Sequence, residues 1–265
     1  MRKLIIKFEK ILYDIKIYTS FKKEYGAFKG IYKDFQEARS NLNINIKDGY
    51  NNLDSANRLL NFVDEAKSKI FEHEYAPFFW LNNIFNSYKT NEHLKVFDFG
   101  GAYGWHFSKF LNHSPNYNIT WTVCEVEEIV KLGKEKFENN KLKFTTSFEE
   151  AHNSNIFFSS GAIQYAENIS LSESLNKLEK KPKHIILSRL PMQNACKKFV
   201  TLQNASTSFN PHYVFNKNDF IKEMYSSSYE LVDSWTSSFD KCIIPFNRDK
   251  SVYSYSGFYF KLMEK

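Results

Sequence analysis

A glycine-rich turn between a buried strand and a helix is the part of this sequence that most restricts its fold. Residues 96–104 read Val-Phe-Asp-Phe-Gly-Gly-Ala-Tyr-Gly, so an apolar run and an acidic residue lead directly into the glycines. Glycine allows a sharp backbone turn and lets a ligand approach without a Cβ in the way. A helix that begins near Gly104 would also point unpaired N–H groups at an anion. The pattern predicts a ligand-binding turn in an α/β domain.

Short β runs alternate with single helices from about residue 94 onward. The predicted strands are Lys95–Phe99, Ile119–Glu125, Leu142–Thr145, Ile156–Ser159, His184–Ser188, Tyr229–Ser237 and Gly257–Met263. The predicted helices between them are Gly104–Leu111, Glu127–Glu138, Leu171–Lys180 and Asn218–Met224. Strands separated by single helices favour a mostly parallel sheet with helices on both faces. Such a sheet binds ligands at the carboxyl ends of its strands.

The first 93 residues have a pattern that is typical of helices. Apolar residues between Leu4 and Ile15 recur at steps of three and four, which predicts an amphipathic helix. A basic helix of this kind can bind a membrane surface, but we favour packing on its own protein. We therefore predict a helical N-terminal cap over residues 1–93 and a Rossmann-like sheet domain over residues 94–265.

Dinucleotide cofactors are disfavoured by the composition of the turn. Their fingerprint is G-x-G-x-x-G at the start of a helix. When Gly101 and Gly104 are aligned with its last two glycines, Phe99 stands where the first should be. An NAD(P)-dependent sugar-nucleotide enzyme is therefore an alternative that this turn does not favour.

The same residues resemble another cofactor motif. Class I S-adenosylmethionine-dependent methyltransferases carry apolar-apolar-Asp-x-Gly-x-Gly-x-Gly. Asp98, Gly100 and Gly104 match it, Ala102 stands in place of the middle glycine, and Gly101 adds flexibility before it. By this resemblance, Asp98 holds the methionine amino group, directly or through water. The N–H groups of the turn would face the methionine carboxylate.

The next two strand ends fit the rest of that cofactor. Glu125 ends the second strand, where a carboxylate can accept hydrogen bonds from both ribose hydroxyls. In class I methyltransferases the adenine lies near the end of the third strand. Phe148 is the candidate to stack on it, and Ser147 the candidate at the purine edge. Core packing would explain Phe148 equally well.

The fourth strand ends in small polar residues that, in this fold, face the reactive sulfonium. Ser159, Ser160 and Gln164 are the candidate cofactor contacts. Tyr165 follows as a candidate substrate contact. With the glycine turn, these residues predict S-adenosylmethionine as the cofactor and S-adenosylhomocysteine as its product.

The order of the pieces resembles a family of class I methyltransferases from bacterial polysaccharide (capsule or O-antigen) biosynthesis. The resemblance runs from about Gly26 to Lys261. The segments that carry it are Gly30–Ala38, Gly49–Tyr50, Phe99–Gly104, Val123–Val126, Gly161–Tyr165 and Ile186–Pro191. It implies the strand order 3-2-1-4-5-7-6. It also implies methyl transfer to a hydroxyl or phosphate-type oxygen of a surface-polysaccharide precursor.

Methyl transfer to an alcohol needs a base, and three residues are candidates for catalysis. His106 lies in the first turn of the helix after the glycines, although it could be a surface histidine. His212 lies in a predicted loop after the fifth strand that could cover the acceptor. Arg189, at the end of that strand, could bind an anionic substrate group or form a salt bridge within the sheet. Tyr50 is a candidate for the wall of the acceptor site.

Composition favours a cytoplasmic protein, and the resemblance implies that its partner is a small molecule or a glycan precursor. The net charge is +6, with lysines spread along the chain, which does not indicate a nucleic-acid-binding protein. The three cysteines form no C-x-x-C pair, which favours the reduced cytosol. The sequence predicts no metal site, no signal peptide and no membrane-spanning segment. It allows a homodimer.

Two further alternatives would share the cofactor site. An RNA or protein methyltransferase would need a basic groove beside the acceptor cleft. A non-catalytic module would bind S-adenosylmethionine without transferring its methyl group.

Overall fold

The structure, a computed structural model, describes residues 2–42, 49–89, 92–113, 117–167 and 169–264. Within these residues the strands are β1 Phe28–Tyr32, β2 Leu94–Phe99, β3 Ile119–Cys124, β4 Leu142–Thr145, β5 Ile156–Ser160, β6 His184–Leu190, β7 Met192–Gln193, β8 Phe199–Asn204, β9 Phe209–Asn216, β10 Tyr229–Ser237 and β11 Tyr255–Leu262. The α-helices are α1 Arg2–Ser20, α2 Phe35–Ser40, α3 Leu53–Asn61, α4 Val63–Ser68, α5 Tyr75–Ser87, α6 Trp105–His113, α7 Glu127–Lys136, α8 Leu171–Lys177 and α9 Lys217–Ser226.

Seven strands form one twisted sheet in the order β4-β3-β2-β5-β6-β11-β10. Counted along the chain within this sheet, the order is 3-2-1-4-5-7-6, so the predicted topology is confirmed. Strands β2 to β6 pair in parallel, and β11 runs antiparallel to β6 and β10. All five residues of β5 are buried, as expected for a central strand that is covered on both faces.

Two apolar cores cover the faces of this sheet. On one face Phe97, Phe157 and Leu187 pack with residues of α8 and α9. On the other face Trp121 and Phe158 pack with residues of α5, α6 and α7. Both faces must therefore be apolar, which explains the continuous hydrophobic runs that predicted these strands.

A second sheet was not expected from the sequence. Its strands lie in the order β1-β8-β9-β7, with β1 antiparallel to β8 and β8 antiparallel to β9. The sequence predicted a loop around His212 and a purely helical segment before residue 94. Polar residues are buried in these strands, including Thr201, Asn210 and His212, so no apolar alternation marks them. This sheet joins the N-terminal segment to the C-terminal one.

The first part of the chain contains several short helices. A break at Phe62 separates α3 from α4, and a short 3-10 turn follows at Glu72–Glu74. Asn52 is the N-cap of α3, because its side chain accepts a hydrogen bond from the Ser55 N–H. Within the part of the chain that the structure describes, no helix is both long and apolar enough to cross a membrane.

Candidate functional site

A cavity of about 1330 Å³ opens where the parallel strands of the large sheet end. Its floor is formed by residues that follow β2, β3, β5 and β6. Its other walls come from the N-terminal segment and from the chain before β11. Among the residues that line it are Tyr50, Arg58, His73, Glu74, Gly100, Gly101, Ala102, His106, Lys109, Glu125, Phe148, Ser160, Gln164, Tyr165, Arg189, Asp240 and Tyr255. The cavity therefore lies at the edge where ligands bind in open α/β sheets.

The glycine turn forms one side of this cavity in a conformation that restricts its sequence. Gly100 has φ +76° and Ala102 has φ +49°, both in the left-handed region. A Cβ on Gly100 would lie 2.0 Å from the Cβ of Ala162. A Cβ on Gly101 would lie 2.4 Å from the Asp98 carboxylate. The turn is therefore folded tightly over Asp98 and against the loop after β5.

We expect Gly100→Ala to lower the free energy of unfolding by about 2–5 kcal/mol. A left-handed conformation costs an L-residue about 1–2 kcal/mol, and overpacking against Ala162 adds about 1–3 kcal/mol. Urea denaturation would measure the loss. Adding Ala162→Gly should recover the packing part and leave the backbone part. If the double variant were no more stable than Gly100→Ala, the contact with Ala162 would not be the cause.

Glu125 connects the end of β3 to the glycine turn. Its Oε1 accepts a hydrogen bond of 3.0 Å from the Ala102 N–H, and its Oε2 accepts one of 3.1 Å from the Val126 N–H. Burial raises the pKa of this carboxyl group to about 7. The Ala102 N–H is thus directed at Glu125, which leaves it unavailable to the anion that the sequence analysis placed at the turn.

Buried charged groups lie behind the glycine turn. They belong to α6 and to the 3-10 turn Glu72–Glu74. Lys109 donates to both oxygens of Glu74, at 2.6 and 2.7 Å. The Nδ1 of His106 lies 3.4 Å from Oδ2 of Asp98. The same Asp98 oxygen accepts a 2.9 Å hydrogen bond from the indole of Trp121. His106, in the wall of the cavity, therefore lies close to the buried Asp98 carboxylate and beside the Lys109–Glu74 ion pair.

Arg189 is bound to a carboxylate of the chain itself. Its Nε and NH2 groups donate to Asp240 at 2.6 and 3.0 Å. Burial alone would lower the pKa of this guanidinium, but the hydrogen bonds and charge of Asp240 outweigh it and raise the pKa. Arg189 also has φ +57°, a left-handed conformation that is uncommon for a residue other than glycine. Its positive charge is largely compensated before any ligand binds.

His212 lies behind the cavity wall. It is fully buried in β9, with its ring 5.1 Å from the ring of Tyr165 and 5.2 Å from that of Phe28. Burial lowers its pKa to about 3, so the imidazole is neutral at neutral pH. Tyr165 and Tyr255, which do line the cavity, stand between it and the open space.

The structure brings most of the predicted site residues to one cavity. Those that line it are Tyr50, Gly100, Gly101, Ala102, His106, Glu125, Phe148, Ser160, Gln164, Tyr165 and Arg189. Those placed elsewhere are Asp98, Gly104, Ser147, Ser159 and His212. Asp98 and Ser159 are fully buried, and the Ser159 hydroxyl donates to the Phe99 carbonyl oxygen at 2.8 Å. Gly104 packs against Leu142.

Several polar atoms in the wall have no hydrogen-bond partner among the described residues. They include Oγ of Ser160, Oε1 of Gln164 and Nδ1 of His73. Burial lowers the pKa of His73 to about 4, and the nearby Arg189 charge acts in the same direction. Buried polar groups without partners are costly, so a water molecule or a polar group that reached these atoms would stabilise them.

Some residues of the cavity were missed by sequence reasoning. Lys109 carried a usable signal, because it lies three residues after His106 and so shares its face of α6. Nothing near Glu74 in the sequence indicates that it pairs with Lys109. Asp240 lies three residues after the end of β10, and nothing near it in the sequence indicates that it pairs with Arg189.

No family model matches the sequence, and no curated protein matches it. Solved structures do match. OxaC in complex with sinefungin and meleagrin is 10% identical, with a TM-score of 0.50 over 81% of this chain and 53% of OxaC. A structure described as a pericyclic reaction enzyme is 9% identical, with a TM-score of 0.50 over 78% of this chain and 53% of that one.

A methyltransferase is also among the matches. The 1,6-didemethyltoxoflavin-N1-methyltransferase of Burkholderia thailandensis, with bound S-adenosylhomocysteine, is 12% identical, with a TM-score of 0.45 over 79% of this chain and 87% of the enzyme. This chain covers about half of the length of OxaC and about half of the length of the pericyclic reaction enzyme. At 9–10% identity and a TM-score of 0.50, the likeness to OxaC and the pericyclic reaction enzyme shows the fold alone, which is the predicted Rossmann-like sheet.

Proposed function

We propose that the chain is an S-adenosylmethionine-dependent methyltransferase that methylates an oxygen of a small acceptor bound in the same cavity. The observation that carries this proposal is the linked glycine turn and Glu125 at the edge of a cavity of about 1330 Å³. Sites for single drug-sized ligands usually measure about 300–1,000 Å³. This cavity has room for a cofactor and an acceptor side by side.

The residues present fit that cofactor. Gly100 and Gly101 let the turn fold closely against Ala162 and over Asp98, where a Cβ on either residue would clash. Glu125 would bind the ribose hydroxyls, and Phe148 would stack on the adenine. Ser160 and Gln164 would find partners for their unpaired polar atoms. When bound, the cofactor supplies a methyl group already activated on a sulfonium.

Asp98 is given a different role from the one that the sequence resemblance implies. Its side chain is fully buried beneath Gly101 and does not line the cavity. We assign it to supporting the turn and orienting His106, whose Nδ1 is 3.4 Å away. Any contact with the methionine amino group would then run through water.

His106 is the base that the geometry favours. It lies in the cavity wall, and Asp98 beside it would stabilise the imidazolium that forms when an acceptor hydroxyl loses its proton. His212 is neutral and lies behind Tyr165, so it supports the wall instead. Arg189, already paired with Asp240, would donate to a neutral or singly charged acceptor rather than hold a phosphate alone.

The acceptor class rests on the sequence resemblance to polysaccharide-modifying enzymes. Tyr50 and Tyr165 pack edge to face with ring centroids 5.2 Å apart and form an aromatic wall. Aromatic walls with a few fixed polar groups suit sugar rings as well as planar compounds. We therefore propose a bacterial surface-glycan precursor, methylated on a hydroxyl or phosphate-type oxygen.

We expect S-adenosylhomocysteine to bind the protein and NAD to fail, with Glu125→Gln weakening the binding about 10–100-fold. The loss follows from replacing charge-assisted hydrogen bonds with neutral ones. Isothermal titration calorimetry would measure the affinity of each protein for S-adenosylhomocysteine and for NAD. Glu135→Gln removes the same charge from an exposed position of α7 and should leave affinity unchanged. Equal affinities for all three proteins would contradict the placement of the ribose.

The affinity should also depend on pH through Glu125. Because its pKa is raised to about 7, the carboxyl group is largely protonated at pH 6 and largely ionised at pH 8. The ionised form accepts hydroxyl hydrogen bonds more strongly, so affinity should rise across this range. In Glu125→Gln the rise should disappear. For folding alone the sign is opposite, because the stability that this group contributes below pH 4.5 is lost as the pH rises through 7.

A further inference from the structure

Helix α1 presents an apolar stripe to solvent. Phe8, Ile11, Leu12 and Ile15 are 63%, 42%, 50% and 45% exposed, and their spacing of three and four residues places them along one side of the helix. We call these four residues the α1 stripe. A surface helix normally turns such a stripe toward the core of its own protein. Here the stripe faces away from it.

The helix is held to the protein by other residues. Asp14 is 5% exposed, accepts a 2.8 Å hydrogen bond from Nε of Arg248, and accepts one of 3.1 Å from the Phe246 N–H. Phe21, just after the helix, is 3% exposed in an apolar cluster with Phe35 and residues of β8. These anchors fix the helix on its polar side and leave the α1 stripe uncovered.

The positive charge of the protein is concentrated in the same segment. Residues 1–23 contain seven Lys or Arg and two acidic residues, a net charge of +5, whereas the whole chain carries +6. Lysines occur throughout the sequence, but most of their excess over acidic residues comes from residues 1–23. Of the two acids, Asp14 is already paired with Arg248. The side chains of Lys10, Lys16, Lys22 and Lys23 are all exposed.

We propose that α1 lies on an anionic membrane surface, with the α1 stripe at the boundary between headgroups and acyl chains. A helix with an apolar side and flanking lysines binds such surfaces through apolar burial and attraction to anionic lipids. A second copy of the chain is the less suitable occupant, because two helices of like charge repel each other. The inference does not depend on the proposed methyl transfer.

Vesicle flotation tests the proposal with the full chain. The protein should bind vesicles of phosphatidylcholine with 30% phosphatidylglycerol at least tenfold more tightly than vesicles of phosphatidylcholine alone, with loss of binding in high salt. Leu12→Glu should weaken that binding at least tenfold, as should Lys10→Glu combined with Lys16→Glu. Tyr225→Glu, which places the same charge on a 64% exposed residue of α9, should bind as the unmodified chain does.

Each variant replaces exposed side chains, so its thermal unfolding should match that of the unmodified chain. Failure to bind the anionic vesicles, or equal binding of the chain and its Leu12→Glu variant, would overturn the proposal. So would light scattering that showed a dimer dissociated by Leu12→Glu, because the stripe would then be an interface between copies. Vesicle binding with no S-adenosylhomocysteine affinity would leave this inference standing and overturn only the proposed function.

Discussion

Replacing Glu74 with alanine is expected to lower the free energy of unfolding by about 3–5 kcal/mol. The Glu74 and Lys109 side chains are 5% and 3% exposed, and both carboxylate oxygens accept from the ammonium group. Without the carboxylate, a buried positive charge keeps no compensating partner. Urea denaturation followed by circular dichroism would measure the difference.

The matched control removes both charges. Glu74→Leu combined with Lys109→Met keeps similar volume, and apolar replacement of a buried ion pair is often neutral or stabilising. The double variant should therefore be more stable than Glu74→Ala by several kcal/mol. A loss below about 1 kcal/mol in Glu74→Ala would mean that Lys109 finds solvent or another partner, and that the pair contributes little.

Replacing His106 with glutamine is expected to slow methyl transfer about 100- to 10,000-fold, the usual contribution of a positioned general base. The affinity for S-adenosylhomocysteine should stay within about threefold, because the imidazole acts on the acceptor. The measurement is transfer of a labelled methyl group to a panel of nucleotide sugars, with calorimetry for the affinity.

His113→Gln is the control for His106, since it changes an exposed histidine on the same helix. It should retain full activity. Unchanged transfer in His106→Gln would remove the base from the mechanism, and an acceptor that is ionised before it binds would then be required. Equal losses of activity and affinity would instead assign His106 to the cofactor.

The central sheet was predictable because its signals are local. Buried parallel strands must be apolar throughout, and helices α6, α7 and α8 come after β2, β3 and β5, so β2 to β6 could be placed within a few residues from the sequence. The turn at Gly100 was equally visible, because only glycine readily adopts its backbone conformation. These features predicted a mostly parallel sheet and the edge of it where the cavity lies, whereas the strand order came from the family resemblance.

The second sheet was not predictable by the same reasoning. Strands β8 and β9 bury Thr201, Asn210 and His212, so their composition resembles that of a polar loop. Only their pairing with each other and with β1, more than 150 residues away, makes them strands. His212, expected in a loop over the acceptor, is therefore a neutral buried residue behind the wall.

What the sequence determined by itself was the chemistry available at the end of each strand: an acid, a glycine turn, a second acid and small polar residues in a fixed order. Tertiary structure alone decided which of these side chains reach open space. The side chains of Asp98 and Ser159 point into the interior. Arg189 pairs with Asp240, which lies in a distant segment of the chain. Glu74, in a 3-10 turn, pairs with Lys109 of α6. The reason is that burial and charge pairing depend on contacts between segments far apart in the chain, and local periodicity does not encode them.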